Sequence, residues 1–63
     1  MDSDQLAEAV RAACVQVVVA AYEDAGIQGL CHEGRWEVAV GAIQSIDLRK
    51  LVQEIELANT RPA

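Results

Sequence analysis

Cys31, His32 and Glu33 follow one another in the chain, with Glu37 one helical turn beyond Glu33 and a second thiol at Cys14. These residue types ligate metals such as zinc, or serve as nucleophile and base. A structural zinc site takes ligands in short-spaced pairs from two elements, so Cys14 would have to reach the others through a hairpin or a second chain. The simpler reading is an exposed loop histidine and a small buried cysteine. Catalysis by Cys31 and His32 meets a geometric objection, because adjacent residues seldom bring their side chains into mutual hydrogen-bond reach. A very small scaffold would also have to supply the oxyanion hole. Cys14 and Cys31 form no Cys-x-x-Cys motif, and with nothing to indicate export both are expected as reduced thiols. Gly26, Gly29 and Gly34 match neither a dinucleotide-binding nor a Walker-type phosphate pattern and read as chain-turning residues. No metal and no cofactor is therefore expected; were a metal bound, its candidate ligands would be Cys31, His32, Glu33, Glu37 and Cys14.

The elements that must position these residues are helical. Ser3 and Asp4 precede Leu6-Ala7-Glu8-Ala9-Val10-Arg11-Ala12-Ala13, a run of good helix formers with acidic residues where the helix dipole favours them. Leu6, Val10, Ala13, Val17 and Ala21 keep the spacing of one face, and Gly26 suits the left-handed position beyond a helix end, so the first helix is predicted over about residues 4–25. The β-branched run Cys14 to Val19 also fits a short buried strand, but its Ala-rich flanks contain no turn residue to end one. Residues 26–34 form the connector. Trp36, Val40 and Ile43 make a second stripe on a helix predicted over about 35–45; Trp36 is either the main core anchor or an interface hot spot, and the shared register favours the core. Leu48, Leu51, Val52, Ile55 and Ala58 make a third stripe, offset from the second by about 100° if the helix were continuous. The helix must therefore break, with Ser45 or Asp47 capping a third segment over 47–58. Residues 59–63 are expected to fray before and after Pro62.

A chain of 63 residues allows one small domain. Its composition is 52% hydrophobic, enough to fold, yet mostly Ala and Val, with one Trp, one Tyr and no Phe. The core of a single chain is thin. The centre of helix 1 is apolar nearly all round, since Val15, Val19 and Tyr22 lie away from the main stripe, and a helix of that kind is normally covered all round. Self-association is the expected remedy. Val15, Val18, Val19, Tyr22, Trp36, Val40 and Ile43 are the predicted interface or core residues, and Cys31, His32, Glu33 and Arg35 the connector surface, with Arg35 and Glu33 in a solvated charge patch.

Ten acidic residues face five basic ones, giving a net charge of −5. The basic residues are scattered, so phosphate-mediated nucleic-acid binding is disfavoured. A helix-turn-helix reading fares poorly as well, because the would-be recognition helix from Arg35 to Ile46 offers one basic residue and Gln44. The acidic N-terminus argues against a secretory signal. The longest uncharged stretch runs only from Ala12 to Tyr22, so no membrane span is expected and the cytoplasm is the expected location.

The segment from Tyr22 to Glu37, continuing to Ala39, Ala42 and Ile46-Asp47-Leu48, carries the core G-L-C-x-E-G-x-W-E-x-A. In this it resembles a group of very short, uncharacterised bacterial proteins, some of which are labelled acetyltransferases. The acetyl-CoA-binding fold that such a label implies needs a mixed α/β domain of roughly twice this length or more and a phosphate-binding loop, and this chain has neither. The resemblance implies a family and no mechanism. Together these readings predict an all-α protein, a helical hairpin with a short third helix, two copies of which complete a four-helix-like bundle. The expected role is a non-catalytic protein–protein interaction module, with an unidentified partner beyond the homodimer left open. The alternatives are a metal or enzymatic site built across the dimer around Cys31, His32 and Glu33, and a DNA-associated regulator.

Overall fold

The computed structural model describes residues 1–60, which form three helices: α1 (Ser3–Ile27), α2 (His32–Gln44) and α3 (Leu48–Thr60). The all-helical expectation holds, and Cys14 to Val19 lie in mid-helix. The start of α1 is fixed by a capping box one residue ahead of the expected position. Asp2 accepts a bond from the Gln5 amide at 2.8 Å, and the Gln5 side chain accepts one from the Asp2 amide at 3.2 Å.

The end of α1 corrects the sequence reading. Gly26 does not terminate the helix; it lies inside it, and Gly29 takes the left-handed conformation, φ +90°. The Leu30 amide bonds to the Ala25 carbonyl and the Gly29 amide to that of Gly26, each at 3.0 Å, which is the Schellman arrangement. Gly26 serves close approach instead. A Cβ built there would stand 3.0 Å from the Arg35 guanidinium carbon.

The connector is consequently much shorter than residues 26–34. Cys31 is already the N-cap of α2, with no side-chain bond to the free amides, and His32 and Glu33 occupy the helix's first turn. Schellman closure is the reason: it reverses the chain within Gln28, Gly29 and Leu30, leaving no need for a longer loop.

The break between the second and third helices falls where the stripe offset places it. Ser45 caps the end of α2 and its hydroxyl donates back to the Gly41 carbonyl at 2.7 Å, whereas Asp47 accepts from the Lys50 amide at 3.1 Å and caps α3. The third helix runs to Thr60, so Asn59 and Thr60 are helical where fraying was expected; residues 61–63 lie outside the described residues.

Both α2 and α3 pack on α1, and they share no packing with each other. A 25-residue helix is about 37 Å long and each 13-residue helix about 20 Å, so α2 and α3 together match the length of α1. The molecule is accordingly an open ribbon, 44 × 20 × 16 Å, with a radius of gyration of 14.3 Å where a compact chain of this length would have about 11 Å. The positions of α1 that are at least half-buried show how the two partners are placed. Cys14, Val18, Ala21, Tyr22 and Ala25 form one line, while Leu6, Ala9, Val10 and Ala13 form another, rotated about 100° around the axis. Val17, expected in the stripe, is exposed at the changeover.

Candidate functional site

A two-layer ribbon has only one line of interior, and small residues occupy it. Among the described residues Ala25 and Ala39 are the two that are fully buried, at 2% and 1% exposure, and no large side chain joins them. Gly34, Ala42 and Ala21 flank them at intermediate burial. Side chains this small let the helices approach closely, and the bulky residues are displaced to the side of the seam. On α2, Trp36 and Ile43 lie about 60° and 40° from the Ala39 direction, and on α1, Val15 and Val19 lie about 60° and 100° from Val18. These four are 62%, 44%, 55% and 47% exposed. Trp36 is thus not a core anchor of the single chain, contrary to its sequence register. The register identified the right helical face and missed that the Ala seam passes beside it.

The displaced residues make one continuous apolar face across α1 and α2, with Trp36 standing in its middle. On one side of the indole is a groove of about 410 Å³ lined by Val18, Val19, Tyr22, Glu23, His32 and Ala39. Against its other side lies a second groove of about 240 Å³ between Val18, Ala39, Val40 and Ile43. Of the residues predicted as interface or core, Val18, Val19, Tyr22, Trp36, Val40 and Ile43 line these two grooves, with Val18, Tyr22 and Val40 half-buried, and Val15 lines neither. A groove on α3, lined by Leu48, Arg49, Val52 and Gln53, is confined to that helix.

The turn end of the hairpin holds this face in shape. His32 and Tyr22 are joined by a hydrogen bond of 2.8 Å between the imidazole Nδ1 and the phenolic oxygen, their rings edge to face at 6.0 Å. Arg35 donates from Nε to the Leu30 carbonyl at 3.0 Å, and its guanidinium lies 5.8 Å from the centre of the Tyr22 ring. The solvated Arg35–Glu33 patch expected from sequence is replaced by this half-buried role, because the shortened turn brings Arg35 over the end of α1. Sequence spacing gave no sign of the Tyr22–His32–Arg35 set, since its members come from opposite strokes of the hairpin.

The residues with chemical potential do not gather. Cys31 is exposed and Cys14 half-buried at mid-α1, both as free thiols. Among the described residues no three His, Cys, Asp or Glu side chains come together in a way that could hold a metal ion. The His32 Nδ1 is already engaged by the Tyr22 hydroxyl.

By length and composition α1 passes the minimum for a membrane-crossing helix, with a mean hydropathy of 1.2 over its best stretch. Its unbroken uncharged part, Ala12 to Tyr22, spans about 17 Å against about 30 Å of hydrocarbon. Comparison of the chain with protein-family models, with curated proteins and with solved structures finds no match.

Proposed function

We propose that this protein is a small, non-catalytic interaction module of the cytoplasm that acts through the α1/α2 apolar face, and that two copies pair by it into a four-helix-like core. The observation that supports this is the exposure of Trp36 at the centre of an apolar surface on a chain that fully buries no large side chain among its described residues. Large contiguous apolar patches on soluble chains mark association sites, and aromatic residues at their centres carry most of the binding free energy. The small domain gains from association what its own core lacks. The net charge of −5 disfavours self-pairing through the more polar remainder of the surface.

The test is size-exclusion chromatography with light scattering on two sets of variants. Charge insertion by Val15→Glu or Val19→Glu is expected to abolish association while the far-ultraviolet circular dichroism stays helical. Cys31→Ser and Glu33→Ala, at exposed positions that line neither groove, are expected to leave it within a few-fold of wild type. The reverse pattern, with association or metal content lost in the loop variants and kept in the valine variants, would sink the reading and favour a site built around Cys31, His32 and Glu33.

A further inference from the structure

A surface that pairs with itself around a two-fold axis must be self-complementary, a ridge on each copy meeting a groove on the other. The α1/α2 face has that form. Trp36 is the ridge, and the 410 Å³ groove beside it is bounded by Val19 and Tyr22 on one wall and by Ala39 at its floor, with Glu23 and His32 at one end. The groove is large enough for an indole side chain.

The chain's surface area points to a second copy as the occupant. Its accessible surface is 5021 Å². A compact protein of 6.8 kDa would expose about 4,000 Å², so the excess is roughly 1,000 Å². A stable two-chain contact buries about 800 Å² on each partner. One isologous interface therefore removes about what the open ribbon leaves uncovered.

Resting on the pairing proposed above, we infer that Trp36 of each copy inserts into the Val19–Tyr22–Ala39 groove of the other, its indole N–H donating to the Glu23 carboxylate at the groove's end. An indole buried in an otherwise apolar groove needs an acceptor for its single N–H, and Glu23 is the carboxylate that lines this one. The bond is charge-assisted and occurs twice per dimer, once on each side of the axis. Because Trp36 also walls its own groove, the two indoles meet side by side across the axis. The Tyr22–His32 hydrogen bond keeps the groove's far wall upright and ready to receive them.

The chain's single tryptophan makes the arrangement directly measurable. Sedimentation equilibrium is combined with acrylamide quenching of Trp36 emission and with far-ultraviolet circular dichroism, which reports paired indoles as an exciton couplet. The wild type is expected to be a dimer with shielded, blue-shifted emission and a couplet that disappears on dilution. Trp36→Ala is expected to weaken dimerisation at least a hundredfold, and Glu23→Ala about tenfold, with emission still that of a buried indole. Glu23 is exposed in the single chain, so its replacement does not threaten the fold. A wild type that remains monomeric at about 1 mM, with Trp36 freely quenched, overturns the inference and leaves the face open for a different protein. A dimer that loses nothing in Trp36→Ala or Glu23→Ala also overturns it. If such a dimer is still broken by Val19→Glu, the face pairs in another way and the interaction-module reading stands.

Discussion

The two ends of the α1/α2 pair are built on different terms. At the turn, side chains from both helices interlock: Arg35 bonds to the Leu30 carbonyl and lies by Tyr22, Tyr22 is joined to His32, and Gly26 leaves room for the guanidinium. Along the middle of the pair the contact is a line of alanines, and the large side chains Val15, Val19, Trp36 and Ile43 stand to one side with much of their surface exposed. The turn specifies geometry with few residues and the middle offers adhesion with little geometry of its own. A chain of this size has too few residues to do both in the same place.

That contrast can be broken at the seam, where the largest effect is expected. Ala39→Asp places a charge at a position 1% exposed between two helices and is expected to cost about 3 kcal/mol or more, enough to unfold a domain of this size, as read by circular dichroism and urea denaturation. Next comes the turn. Gly29→Ala forces a side chain into the left-handed region at φ +90° and is expected to cost about 1 to 2 kcal/mol in urea denaturation, with no change in quaternary structure once refolded.

Asp47→Ala removes the cap of α3, at an expected cost of about 1 kcal/mol, and amide exchange should accelerate in α3 while α1 and α2 stay protected. Equal acceleration across all three helices would show that α3 is not separable from the hairpin. Tyr22→Phe deletes the bond to His32 and is expected to cost about 0.5 to 1 kcal/mol, since that bond is partly in contact with solvent. Arg11→Ala, breaking the exposed Arg11–Glu8 pair at 3.3 Å, sets the floor with a change of about 0.5 kcal/mol or less.

The helices were legible because their periodicity and caps are local properties. The offset between the Trp36–Val40–Ile43 stripe and the Leu48–Leu51–Ile55 stripe placed the break within a residue or two of where Ser45 and Asp47 make it. Gly26 was misread as a terminator because sequence alone does not rank it against Gly29; the choice depends on Arg35, which reaches Gly26 only after the hairpin closes. Trp36 was misread as core for a related reason. Its helical face is set by sequence, but which flank of that face meets α1 depends on the residue sizes of both helices at the seam. The Tyr22–His32–Arg35 set was invisible for the same cause, as its members meet only across the turn.

The lack of packing between α2 and α3 has a consequence for the order in which the chain acquires its structure. Contacts between α1 and α2 begin at a three-residue reversal and extend outward from it, so each new turn of helix closes only a small additional loop. Local contacts of this kind favour fast zippering. On that basis α3, which contacts only α1, is expected to dock last. Ser45 to Asp47 is then a natural point at which an early folding unit ends and a late one begins.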